Sequence, residues 1–451
     1  MSVNDHWWKS FREEKFKHDC VEIELVRNGV KPLTYRGPGE VWQDDDGVLS
    51  FKCFAQSEAR DAVSSILNQA ALEVGKLIPD EAYYSIKVTT FDTMILTAEN
   101  VWIGLNCNLA TGHAIASGKL RSLRHVSPDK RALKSHSMRL LFLKQQRQDW
   151  RPFYDAVIRV DEIGCTLKFE MLRESDVLVE IIGDAAFVPN FETRVIEALR
   201  YVLGKVVHLS LIETRTNGET DTTLMSPVRE VSTRFPAPLS SHKHADDVHR
   251  MFVRYLVFVN SNTSSEFVHP CSMWLRNACD ASAGSTEAEV IVLGVTVEGL
   301  ANLLPFERAP LDQALVDVRD ALLKLIGELA PVERVRKRIE GLLGQLNNVR
   351  ATDRLQPLVD SGHLASSCLD AWKELRNKAV HPSSSKLEGL DNEQLQALID
   401  LIHRVYVCMY QITFALIGYQ GAYSNYAAKR FPVESYPLTA ASEVAAEGSS
   451  A

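Results

Sequence analysis

The stretch AWKELRNKAVHP, Ala371 to Pro382, sets an arginine, an amide and a histidine within six residues of one another. Arg376 presents a permanently charged fork that matches phosphate oxygens. His381 takes or gives a proton near neutral pH, and a place at a helix C-terminus favours its protonated form. RNA carries its own nucleophile, the 2′-hydroxyl. A protein that grips the phosphate, stabilises the charge growing on it and moves protons can therefore cut RNA without a metal. The products expected of that chemistry are a 2′,3′-cyclic phosphate and a 5′-hydroxyl, and DNA should resist.

The spacing needs a helix to become a site. Five positions at 3.6 residues per turn put His381 ~140° round from Arg376. Asn377, four before His381, stands one turn beneath it and is placed to orient the imidazole. Pro382 disfavours helical geometry at His381, so the ring is expected to leave strict helical phase and come within reach of the arginine. The bare interval is weak evidence. RALKSH, Arg131 to His136, has it too, with alanine in place of the amide and no proline after it. Two other Arg-Asn pairs, Arg27-Asn28 and Arg276-Asn277, lack a histidine at that distance.

The elements that must position these residues follow from periodicity. Helices are expected over 245–259, 286–304, 311–329, 332–346, 354–361, 367–381 and 392–418, with apolar residues at i, i+3, i+4 and i+7. In the helix over 367–381, Leu369, Trp372, Leu375 and Ala379 would line the core face. Pro305, Pro310, Pro331 and Pro382 fall between helices, where proline belongs. The first half reads differently, with period-2 alternation in VEIELV (21–26), CTLKFEML (165–172) and VVHLSLIE (206–213). SIKVTTF, NVWIGL and KLRSLRHV are further strand candidates, and Asn217-Gly218 is a hairpin signal. Helices over 57–76 and 191–205 interrupt the strands. The expected fold class is α+β in two domains. A β-rich sandwich or barrel with inserted helices would span 1–235, acting as a sensor or regulatory domain. An all-α bundle would span 236–437. The Pro- and Ser-rich stretch 232–244 reads as a linker and 438–451 as a disordered tail.

At 451 residues the chain exceeds one ordinary core, and its 45% apolar and 24% charged composition is that of a globular protein. A net charge of −8 argues against a surface coated for nucleic acid, though not against a local basic patch. The eight cysteines are scattered without a C-x-x-C pair, so buried free thiols in a reducing compartment are expected. The N-terminus mixes both charges and lacks an apolar run, so no signal peptide is expected. The most apolar stretch, Val405 to Tyr419, is shorter than the ~20 residues of a membrane span and reads as a core or dimer helix. The expected location is cytoplasmic, with no membrane contact.

Other constellations have plainer readings. HKHADDVH (242–249) holds His242, His244, Asp246, Asp247 and His249, but His244 and His249 are five apart, so a solvated helix start is preferred to a metal site. Arg334, Arg336, Lys337 and Arg338 form a local basic excess on an acidic protein. It reads equally as a weak RNA-backbone track and as a solvated helix face. The tyrosines Tyr406, Tyr410, Tyr419, Tyr423 and Tyr426 are read as packing rather than base stacking. No glycine-rich phosphate loop and no G-x-S-x-G elbow occurs. No metal and no cofactor is expected.

The segment RNKAVH, Arg376 to His381, resembles the R-polar-x-x-x-H signature of HEPN domains (higher eukaryotes and prokaryotes nucleotide-binding). The early helix EAEVIVLGVTVEGLANLL (287–304), with Glu298 in an apolar setting, resembles the first helix of the ApeA-like branch of bacterial anti-phage proteins, which place a β-rich domain before the HEPN domain. The resemblance is motif-based over about 286–418 and architectural over the first half. It implies a bundle of four or five helices with the motif at the end of a late helix. It further implies a homodimer that pairs two motifs into one RNA site, with Arg376 and His381 catalytic and Asn377 supporting. A phage-derived trigger would act at the N-terminal domain. Ser383 stands where one branch carries a tyrosine modified by nucleotide transfer, so that regulation is not expected. The alternative is a non-catalytic HEPN dimerisation or binding module, in which the Arg–Asn–His helix end only caps carbonyls and pairs with an acid such as Glu374.

Overall fold

A computed structural model of the protein describes residues 3–29, 32–56, 77–108, 113–129, 136–172, 175–227, 235–240, 242–261, 268–305, 313–329, 332–345, 349–380 and 391–438. The fold is α+β, and the chain divides into two compact units, Met1–Leu199 with Val206–Glu230, and Arg200–Lys205 with Val231–Ala451. The expected helix over 57–76 lies outside the described residues, as does the tail beyond Leu438.

The first unit is built on strands whose alternating residues bury one face. They are β1 (Lys17–Arg27), β2 (Thr34–Gln43), β3 (Leu49–Gln56), β4 (Tyr84–Thr90), β5 (Ile95–Val101), β6 (Gly104–Asn108) and β7 (His113–Leu120). There follow β8 (Ser122–Pro128), β9 (His136–Phe142), β10 (Val157–Val160), β11 (Cys165–Met171), β12 (Val177–Gly183), β13 (Leu211–Thr216) and β14 (Glu219–Met225). All join one antiparallel sheet in the order β10-β11-β12-β9-β13-β14-β8-β5-β4-β1-β2-β3-β7-β6. β5 also touches β7, five strands along, so this part of the sheet curls on itself around Ile23, Leu25, Val41, Phe51, Val88 and Leu96. Asn217 and Gly218, both at positive φ (52° and 83°), turn β13 into β14, as the Asn-Gly pair requires. Two expected strands are each divided between two strands. NVWIGL bridges the end of β5 and the start of β6, and KLRSLRHV turns at Arg121 between β7 and β8.

Two helices accompany the sheet. In α1 (Val3–Arg12), Trp8 donates its indole N–H to Glu213 of β13 at 2.9 Å. α2 (Phe191–Leu203) buries Phe191, Val195, Ala198 and Leu199.

The second unit holds α3 (Ala245–Ser261), α4 (Pro270–Ser282), α5 (Thr286–Ala301), α6 (Gln313–Leu329), α7 (Glu333–Gln345), α8 (Ala351–Asp360), α9 (Ser366–Val380) and α10 (Asn392–Ile417). α5 is apolar nearly all round because it is central, packed against α4, α8, α9 and α10. Its start is fixed by Ser285, whose hydroxyl accepts the Ala288 N–H at 3.2 Å. α10 opens on a reciprocal cap between Asp391 and Gln394 and ends at Gly418, whose φ of 63° only a residue free of a Cβ adopts readily. α8 starts at Ala351 rather than Arg354, because the Asp353 carboxylate accepts the Arg350 N–H at 2.8 Å. α4 was not read from the sequence, nor was the hairpin of β15 (Gly421–Ser424) and β16 (Val433–Tyr436) after α10.

Candidate functional site around Arg376

α9 buries Cys368, Leu369, Ala371, Trp372 and Leu375 and turns Lys373, Glu374, Arg376 and Asn377 outward. Leu369, Trp372 and Leu375 are the face expected from periodicity. The side chain of Ala379 lies outside the described residues.

Where α9 crosses α5, the approach is close. The Trp372 indole N–H donates to the Gly294 carbonyl at 2.9 Å. A Cβ at Gly294 would stand 3.7 Å from the Arg376 Cα. This crossing brings the Arg376 Nη2 within 3.2 Å of Glu298 Oε2 on α5, with side chains 48% and 41% exposed. The guanidinium carbon sits 5.9 Å from the centroid of the Trp372 ring, one helical turn behind it. Arg376 is thus fastened on one edge by a carboxylate and backed by an indole. A guanidinium carries five N–H donors, so the pair with Glu298 leaves donors for an anion arriving from solvent. Ile291 and Val295 on α5, spaced seven and three before Glu298, are about half exposed and give the open face an apolar margin.

The acid named as an example in the alternative reading is not the one that meets Arg376. Glu374 pairs with Lys378 at 2.7 Å, four residues on, and Glu298 is the carboxylate that meets Arg376. Helical phase explains this. Glu374 is only two positions from Arg376 and projects to another side, whereas Lys378 is directly above it. His381 lies outside the described residues, as do residues 382–390, and with it the expected contact to Asn377, which is itself exposed.

The basic group of α7 is exposed throughout. Arg336 meets Glu340 at 2.7 Å and Lys337 meets Glu333 at 2.8 Å, both i,i+4 pairs, while Arg334 and Arg338 also face solvent. In the His-Asp stretch, His244 Nδ1 lies 3.5 Å from Asp247 Oδ2, and Asp247 is shared with Arg250 at 3.0 Å. No group of three or more His, Cys, Asp or Glu side chains among the described residues is placed to hold a metal.

Thiol chemistry has no support. All eight cysteines are free and seven are buried. Burial pushes the thiols of Cys20 and Cys368 up to about 12 and those of Cys53 and Cys165 up to about 11, so none of these four is a ready thiolate. The tyrosines of α10 pack, as expected. Tyr406 and Tyr410 are buried against Phe235, and the Tyr406 hydroxyl donates to the buried carboxylate of Glu289 on α5. No helix of the described residues is long and apolar enough to cross a membrane.

Three buried or half-buried charged groups escaped the sequence reading as partners. Glu298 stood out by being charged in an apolar helix, but nothing in a sequence pairs it with Arg376. Glu289 gave no comparable signal. Glu213 of β13 is fully buried, with guanidinium nitrogens of Arg215 and Arg139 at 2.8 and 3.5 Å. Arg139 faces it across the sheet, a pairing that only the strand order creates. Comparison with known protein families, with curated proteins and with solved structures finds no match to the chain.

Proposed function

We propose that the chain is an ApeA-like HEPN endoribonuclease of bacterial anti-phage defence. It cuts RNA without a metal through Arg376 and His381, supported by Asn377, in a site completed by dimerisation. The observation that supports this reading best is the fastening of Arg376, half exposed yet oriented from two sides by Glu298 and Trp372, five residues before a histidine and its proline. A guanidinium held in this way is prepared to receive a phosphodiester, because little of its freedom remains to be lost on binding. In this mechanism Arg376 holds the scissile phosphate and stabilises its added charge. His381 moves the proton between the 2′-hydroxyl and the departing 5′-oxygen, and the sugar supplies the attack. The β-rich first unit restrains or targets the nuclease and responds to a phage-derived trigger, and activity stops translation in the infected cytoplasm.

A second reading has its own observation. Arg376 already has a carboxylate partner in Glu298, as a purely structural arginine would. In that case the bundle is a dimerisation or binding module. Incubating the chain with mixed RNA in EDTA separates the two, with single-stranded DNA as control. The nuclease reading requires RNA cleavage that survives EDTA and is lost in Arg376→Ala and His381→Ala. Cleavage retained in either variant removes the catalytic assignment, and EDTA-sensitive cleavage points to a metal enzyme.

A further inference from the structure

The helices α6 and α7 carry apolar residues that nothing among the described residues covers. On α6, Val318, Leu322, Leu325 and Leu329 recur at intervals of four, three and four. On α7, Val332, just ahead of the helix, begins a series with Val335, Ile339 and Leu342 at intervals of three, four and three. Both are the seam of a heptad repeat, which sits on one side of a helix and calls for a facing helix. Seven of these eight residues are between 41% and 76% exposed, and Ile339 is half-buried. The seams therefore do not close on each other within the chain.

Charge says what fits. α6 carries three acids against two bases, and α7 carries four bases against two acids. In the heptad frame, Glu328 of α6 and Arg338 of α7 occupy the position just before a seam residue. Antiparallel coiled helices bring those two positions together. Each helix thus complements the other kind and not itself. A two-fold axis that sets α6 of one copy on α7 of another satisfies both seams at once, the rule of an isologous interface. The helices are 17 and 13 residues long. A standard interface draws about 20–30 residues from each partner, and the seam faces of the two helices supply about half of that, which fits a small interface of modest affinity.

We infer that α6 and α7 are a self-association surface, α6 of one protomer packing antiparallel on α7 of a second copy of this chain. This stands on the seams and not on the nuclease reading, although it would supply the pairing of copies which that reading needs.

The test is the mass of the full chain by sedimentation equilibrium across the micromolar range. The parent is expected to be a dimer. Arg338→Glu should weaken it by about tenfold or more, and adding Glu328→Lys in the same chain should recover most of the loss, as a double-mutant cycle through one contact must. Recovery cannot come from misfolding, which a second substitution would not repair. Leu322→Gln with Leu325→Gln should give a monomer of unchanged helix content by circular dichroism. A monomeric parent overturns the inference, and so does a cycle without recovery. A monomeric parent whose retention of single-stranded RNA is lost in Arg338→Glu would make α7 an RNA track instead. Because mass and not cleavage is read, this inference and the nuclease reading fail separately.

Discussion

Arg376 shows how a surface residue is given one orientation. Its fork could sweep a wide arc from α9, but Glu298 holds one edge and the Trp372 ring lies beneath. An exposed ion pair of this kind contributes about 0–1 kcal/mol to stability, so its value is positional. Glu298→Gln keeps the side-chain shape and removes the charge. It should leave the melting temperature nearly unchanged while lowering RNA cleavage about tenfold, a cost of about 1.4 kcal/mol in transition-state stabilisation. Equal cleavage by Glu298→Gln and parent would mean that the pair does not position Arg376. His403 of α10 offers a second residue-scale prediction. Burial lowers its pKa below the usual 6.5, opposed by Asp400 and Glu289. The unfolded chain therefore takes up the proton more readily than the folded one. The contribution of this residue is present above the ordinary imidazole pKa and is lost as pH falls through the lowered folded value. Denaturation midpoints at about pH 7.5 and about pH 5.5 should drop more on acidification for the parent than for His403→Gln, and parallel drops would refute the assignment.

At the scale of elements, two glycines of α5 stand in different surroundings, and only one is required by the packing. A Cβ on Gly294 would meet only ordinary contacts, 3.7 Å from the Arg376 Cα. A Cβ on Gly299 would fall 2.3 Å from the Trp274 indole of α4. Gly294→Ala should therefore be neutral or gain up to about 1 kcal/mol from helix propensity. Gly299→Ala should lose about 1–3 kcal/mol to overpacking. Urea denaturation of the two variants checks this, and a reversed order would show that the helices do not cross as described. The same elements show what a sequence discloses. The helices around the site were readable because their apolar faces repeat at 3.6, and the Asn-Gly turn because its backbone chemistry is local. α4 was not, since its buried stripe, Cys271, Ser272, Leu275, Ala278, Cys279 and Ser282, is made mostly of small or polar residues, while the apolar Met273 is exposed. KLRSLRHV alternates smoothly through Arg121 and hides its turn there, because period alone does not mark a tight reversal.

For the whole molecule, the α+β class and the change of pattern between strands and helices were legible, whereas the pairing of strands was not. β9 joins β12 and β13, and β8 joins β14, across long stretches of chain. The charged contact of Glu213 with Arg139 exists only once that order is set. The candidate site divides in the same way. Arg376 and Asn377, both exposed on α9, are singled out by residue type and spacing, as is His381, which lies outside the described residues, and Trp372 by its place on the core face. Glu298 as the arginine's partner needed the fold, since 78 residues separate the two. The measurement that bears most directly on the account is the chemistry of the RNA ends left by the purified chain in EDTA, read beside Arg376→Ala. The account predicts 2′,3′-cyclic phosphate and 5′-hydroxyl ends from the parent, and intact RNA from the variant. Intact RNA from the folded, dimeric parent, 3′-hydroxyl ends, or cleavage undiminished in Arg376→Ala would contradict it.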